Sequence, residues 1–225
     1  MKKRILFLPC LIIVLVLMYQ YTKDSSDSLS TTAYAKQTPV IVLDSGHGGY
    51  DTGGISAEGI YEKDITLSIT LLAGEILEEE GYEVVYTRKS DEVSWSDDNL
   101  EDLKARVNIA TMAQGDVFVS IHTNSSEVYN DGAFGIEAYY DGTDDDMEQL
   151  CAAMLSNLSD LNYTDDRGVK TTFDTPLYVI DQNNIPAMLL EIGFLSDSDD
   201  AAYMTSSEGQ KAIAQAIANA IMSQY

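Results

Sequence analysis

Four side chains in this 225-residue sequence are of the types and in the places that could perform metal-assisted hydrolysis. Its two histidines each close an apolar run: His47 stands in Asp44-Ser45-Gly46-His47-Gly48-Gly49 after Val40-Ile41-Val42-Leu43, and His122 follows Val117-Phe118-Val119-Ser120-Ile121. The chain has no other histidine, so two imidazoles at equivalent strand ends point to one shared site. An open catalytic zinc site adds a carboxylate to such a pair and keeps a position for water. Glu62 is the leading candidate, because a residue opening a helix after Gly59-Ile60-Tyr61 can turn its side chain back over the strand ends. Asp44, Asp51 and Asp64 are its rivals, and a carboxylate at a helix N-terminus also has the plain role of meeting the dipole. The fourth residue is Glu191, which interrupts the apolar run Ala187-Met188-Leu189-Leu190-Glu191-Ile192. A charge placed there is costly unless it is paired or its proton affinity rises. A salt bridge would satisfy it; a general base beside an activated water explains it better.

Other chemistries are poorly served. Cys10 lies in an N-terminal apolar run and Cys151 among Leu150, Ala152, Ala153 and Leu155, which excludes a disulfide framework and a cysteine zinc cluster and makes Cys151 inert packing. No Gly-x-Ser-x-Gly elbow and no phosphate-binding glycine loop is present. Thirty-seven acidic residues against 13 basic ones, a formal net charge of -24, exclude a nucleic-acid partner, which would demand clustered positive charge. Asp144-Asp145-Asp146 and Asp197-Ser198-Asp199-Asp200 lack the alternating ligands of a calcium loop and sit before helical patterns, where negative charge is favourable.

The elements that must hold the site follow from periodicity. Short apolar runs at 40–43, 83–86, 116–121, 135–140, 177–180 and 187–192 predict strands, the first of them buried on both faces. Ile65, Ile69, Leu72 and Ile76 share a helical face within 62–80; Leu103, Val107 and Ala110 do so within 99–113; a helix is expected at 145–161; and Ile213, Ile217 and Ile221 mark a last one at 206–224. This alternation predicts an α/β domain over residues 39–225, a mostly parallel mixed sheet of about six strands with helices on both faces. Ligands of such sheets gather at the carboxyl ends of strands, where both histidines fall.

Lys2, Lys3 and Arg4 ahead of the apolar stretch Ile5 to Tyr19 give residues 1–35 the order of an export signal or membrane anchor, and residues 20–38 read as a flexible linker overlapping a small-x-small cleavage pattern at Ala33-Tyr34-Ala35. The expected location is therefore extracytoplasmic, secreted or tethered, with membrane contact only through the N-terminal segment. The segment from Glu127 to Gly135, beside His122, is long enough to serve as a mobile cover.

Taken in order, Asp44-Ser45-Gly46-His47-Gly48-Gly49, Glu62-Lys63-Asp64, Ser120-Ile121-His122-Thr123-Asn124 and Glu191-Ile192-Gly193-Phe194-Leu195 resemble the zinc-dependent N-acetylmuramoyl-L-alanine amidases of the amidase type 3 family. Ser45 and Thr123 replace the Pro and Ala usual there, and Tyr86-Thr87-Arg88, Arg106 and Arg167-Gly168-Val169-Lys170 resemble scaffold or groove segments. The resemblance implies that His47, Glu62 and His122 hold one zinc ion and that Glu191 is the catalytic carboxylate. It also implies peptidoglycan as substrate, cut at the amide between N-acetylmuramic acid and L-alanine; no protein regulator is implied. A zinc peptidase or deacetylase acting on wall fragments, and a non-catalytic wall-binding domain, are the alternatives. Because imidazoles must be neutral to bind metal, affinity is expected to fall below about pH 6.

Overall fold

The computed structural model of the protein describes residues 38–225. The export segment at 1–35 and all but the last residue of the linker at 20–38 lie outside the described residues. Among the described residues no helix is long and apolar enough to cross a membrane.

Six strands form one sheet: β1 (Val40–Ser45), β2 (Glu83–Tyr86), β3 (Val117–Asn124), β4 (Ile136–Tyr140), β5 (Asp166–Thr171) and β6 (Ala187–Phe194), in the spatial order β2-β1-β3-β6-β4-β5. Every neighbouring pair is parallel except β4 with β6, so the expected mostly parallel, mixed sheet is the one observed. Six helices surround it: α1 (Glu62–Glu79), α2 (Asn99–Ala113), α3 (Asp145–Ser159), α4 (Tyr178–Asp181), α5 (Ser198–Thr205) and α6 (Ser207–Met222).

Alternation along the strands divides the core in two. Ile41 and Leu43 of β1, Val119 and Ile121 of β3, and Met188 and Leu190 of β6 face a large core closed by α1, α3, α5 and α6. Val42, Phe118 and Leu189 face a smaller one with Ala110 of α2 and Val179 and Ile180 of α4. On this second face the side chains turn polar towards the carboxyl ends of the parallel strands. Asp44 continues from Val42, Ser120 and His122 from Phe118, and Glu191 from Leu189. The apolar part fixes the strands, and the same two-residue repeat then delivers the polar side chains to one place.

The acidic clusters act as helix caps. Asp144 accepts from the backbone N–H groups of Asp146 and Met147 at the start of α3, and Asp197 from those of Asp199 and Asp200 at the start of α5. Asp98 caps α2 in the same way. Each such cap is worth about 1 kcal/mol. Helix α1 has no side-chain cap; its first N–H groups, of Glu62 and Lys63, donate to the carbonyls of Gly54 and Thr52 instead. That leaves the Glu62 carboxylate free for other partners.

Two expectations are corrected. The run at 177–180, read as a strand, is the single-turn helix α4, whose Asp181 carboxylate accepts from the Leu177 N–H at 2.9 Å while Val179 and Ile180 fill the second core. A short apolar run does not distinguish strand from buried turn by periodicity. The sixth strand is β5, Asp-Arg-Gly-Val-Lys-Thr, too polar to announce itself because it lies at the sheet edge and pairs only with β4.

Candidate metal and catalytic site

His47, Glu62 and His122 meet. Each offers a ligand atom, and these atoms lie within 4.8 Å of one another. Glu62 Oε1 is 3.1 Å from His47 Nε2 and 3.0 Å from His122 Nδ1, and it also accepts from the Thr123 N–H at 2.9 Å. Glu62 Oε2 accepts from the Gly54 N–H at 2.8 Å. Burial alone would raise the proton affinity of Glu62, but the hydrogen bonds and charges of the two histidines outweigh it and hold the carboxyl well below the usual range. The helix-opening position thus aims this carboxylate at the strand ends, as the sequence suggests.

His47 sits at a backbone φ of 61°, uncommon outside glycine. The conformation is held from two sides. Arg106 donates to the carbonyls of Ser45 and His47, each at 2.7 Å, and Arg88 donates to those of Ser45, Gly46 and Lys63. Asp51 Oδ2 is 2.7 Å from His47 Nδ1 and fixes the ring with Nε2 towards Glu62. Burial alone would lower the His47 pKa, but Glu62 and then Asp51 push it up to about 9. In the metal-free site the His47 ring therefore keeps its proton to a higher pH than an ordinary histidine would. Space is equally constrained: a Cβ on Gly46 would lie 2.4 Å from His122 Cε1, and one on Gly53 2.6 Å from Glu62 Oε2.

The rival carboxylates have other tasks. Asp44 is fully buried and accepts from Thr87 Oγ1, Arg106 Nη1 and Ser120 Oγ at 2.6–2.7 Å. Burial would raise its pKa, but Arg106 and the two hydroxyls bring it below the ordinary value. Asp51 orients His47, and Asp64 is exposed on α1. Asp102 completes the Arg106 clamp through Nε at 2.6 Å. Arg88 and Arg106 were legible only as resembling scaffold segments; their signal is that buried arginines must find acceptors, and here those are the carbonyls of the histidine loop.

Glu191 stands in register with His122 across β3 and β6, where the ladder shifts between His122 and Asn124. Such irregularities re-aim side chains beside active sites. Its Oε2 is buried with no hydrogen-bond partner among the described residues. Burial, followed by the charges of Glu62 and Glu137, raises its pKa well above that of an ordinary carboxylic acid. No salt bridge to Glu191 occurs among the described residues, so the ion-pair alternative does not account for it. Cys151 is buried on α3 with its thiol pushed up to about 12, in keeping with inert packing. The segment 127–135 is hydrogen-bonded to its surroundings: Tyr129 OH donates to the Ile55 carbonyl, Asn130 N–H to the Ser196 carbonyl and Gly135 N–H to Asp200.

A doubly covered α/β sheet with a two-imidazole, one-carboxylate cluster at its strand ends has the donor set that an open site for metal-assisted hydrolysis requires. Comparison with known proteins narrows it. A family model described as N-acetylmuramoyl-L-alanine amidase matches residues 41–223, and the chain belongs to that family of peptidoglycan hydrolases. It is 37% identical over 187 residues to the Bacillus subtilis protein YqiI, covering 82% of this chain and 84% of that one. It is 26% identical over 231 aligned positions to the germination-specific N-acetylmuramoyl-L-alanine amidase of the same organism, covering 99% and 95%. Among solved structures, the CwlD amidase of Clostridioides difficile, determined in complex with the GerS lipoprotein, superposes with a TM-score of 0.76 at 32% identity, over 83% of this chain and 98% of that one.

Proposed function

We propose that the chain uses His47, Glu62 and His122 to hold one zinc ion and Glu191 as catalytic carboxylate, and hydrolyses the amide joining N-acetylmuramic acid to L-alanine. The observation that carries this reading is the convergence of three ligand atoms within 4.8 Å beside a carboxyl whose Oε2 is buried and which stands in register with one of them. The donor set fits: two imidazole nitrogens and one carboxylate oxygen suit zinc, and His47 has its second nitrogen oriented by Asp51 in the manner common to metal-bound histidines. Zinc bound there would supply Lewis acidity for the scissile carbonyl and for water.

The remaining work falls to the chain itself. Glu191, raised in proton affinity, takes a proton from the attacking water and returns it to the departing nitrogen of L-alanine, which leaves as a neutral amine. Arg88 and Arg106 clamp the carbonyls of the His47 loop, which reduces the reorganisation the cluster needs. Action outside the cytoplasm, secreted or tethered through the N-terminal segment, accords with a cell-wall substrate. Residues 39–225 form the catalytic domain in this reading.

Digestion of purified peptidoglycan followed by mass analysis of the fragments tests it. The expected products carry a new L-alanine amino group and an intact muramic carboxyl, and a chelator abolishes them. A cut within the stem peptide, or loss of acetyl groups, would establish the peptidase or deacetylase alternative. Purified protein without stoichiometric zinc would favour the non-catalytic binder.

A further inference from the structure

The row that carries His122 and Glu191 continues one strand further. Glu137 of β4 stands opposite Glu191 in the antiparallel pair, buried at 2% exposure. Its carboxylate is fully occupied. Oε1 accepts from Asn124 Nδ2 and Tyr139 OH, both at 2.8 Å, and Oε2 from Arg167 Nε at 2.8 Å and from Lys170 Nζ. Two cations share one buried anion, so this cluster holds one positive charge in excess within a chain of formal net charge -24. Their side chains are 38% and 36% exposed, which leaves them open to a ligand. Arg167 is steadied over the Phe194 ring and by the Phe134 carbonyl, and no protein acceptor meets its Nη2 among the described residues. The other cations near the site are spent: Arg88 and Arg106 are buried on loop carbonyls, and Lys63 is paired with Asp91.

The spacing fits a substrate group. Adjacent strands lie ~4.8 Å apart, which puts β4 about 5 Å and β5 about 10 Å from the Glu191 backbone. Along an extended stem peptide the second residue reaches at most ~7 Å beyond the scissile nitrogen. A stem peptide laid from Glu191 across β4 towards β5 would bring a carboxylate carried there within reach of the two cations, whereas elsewhere on so acidic a surface it would be repelled.

We infer that Arg167 and Lys170 form a carboxylate-binding subsite that selects stem peptides whose second residue bears a free carboxylate over those in which it is amidated; this rests on the amidase reading above. Charge-assisted hydrogen bonds supply the discrimination, since an amide offers these donors only a neutral carbonyl.

The test pairs hydrolysis with binding. Muropeptides differing only in a free or amidated carboxylate on the second residue are compared as substrates, and the corresponding released peptides are titrated calorimetrically against the full protein. Wild type is expected to favour the free acid by about tenfold or more in kcat/KM and in peptide affinity. Lys170→Gln and Arg167→Gln should each bring both ratios towards one, while Lys170→Arg keeps them. The triple variant Glu137→Gln/Arg167→Gln/Lys170→Gln removes both cations without stranding a buried carboxylate, and should also lose the preference. A merely structural role would lower both substrates by the same factor. Equal treatment of acid and amide by wild type, or an unchanged ratio in the variants, would overturn the subsite. Discrimination in binding without release of L-alanine peptides would support the subsite and count against the amidase reading.

Discussion

His122 and Glu191 occupy directly opposed positions on the parallel strands β3 and β6, so the sheet register itself sets a proposed metal ligand beside a proposed proton carrier. Removing the carboxyl at 191 should leave the ligands undisturbed. Glu191→Gln is expected to retain stoichiometric zinc by elemental analysis while losing about 10²–10⁴-fold in turnover on wall fragments, the usual weight of general acid–base catalysis. Near-normal turnover would take Glu191 out of the proposed chemistry.

Asp51 acts at one remove, through His47 Nδ1 at 2.7 Å. Asp51→Asn keeps the shape but weakens the orientation of the ring. Competition against a chelator of known affinity should show zinc bound about 10–100-fold more weakly, as for other partners of ligating histidines.

The His47 pKa near 9 makes a pH prediction whose sign is fixed. In chelator-treated protein the charged ring stabilises the fold fully below its unfolded value of about 6.5, and this contribution is lost as pH rises through about 9. Thermal unfolding should therefore show the metal-free protein losing stability across that window, by about 3 kcal/mol at most. Zinc uptake within the same window should release a proton, detectable as a dependence of the calorimetric heat on the buffer's ionisation enthalpy. A metal-free melting temperature that stays flat from pH 6.5 to 9 would contradict the proposed grip of Glu62 and Asp51 on the ring.

Arg106 joins stability to the site, since one guanidinium bridges Asp44, Asp102 and the carbonyls of Ser45 and His47. Arg106→Met strands Asp44 as an unpaired buried charge. Urea unfolding should report a loss of about 3–5 kcal/mol, the scale for breaking one side of a buried pair. Zinc affinity should fall with it, because the His47 loop loses its clamp.

What could be read beforehand divides along physical lines. His47, Glu62, His122 and Glu191 stood out because each is a polar residue where periodicity demands strand ends, a helix start or an apolar core, and such placements are costly unless used. Helix α2 was located at its observed limits by Leu103, Val107 and Ala110, and the structure adds Asp98 as its cap. The edge strand β5 and the single turn α4 were missed for opposite reasons: one pairs on a single side and needs few apolar residues, the other hides apolar residues in a turn too short to have a period. The partners of Asp44 lay beyond reach because they are joined across 43, 62 and 76 positions by contacts no local pattern encodes.

The closeness of Gly46 to the His122 ring and of Gly53 to the Glu62 carboxylate bears on any attempt to transplant this site. Copying the two histidines and two glutamates onto another α/β scaffold would carry over the donors without the clearance they depend on. The bare backbone behind each donor is as much a component of the centre as the donor itself, and a graft that put alanine at either place would reproduce the composition while blocking the assembly.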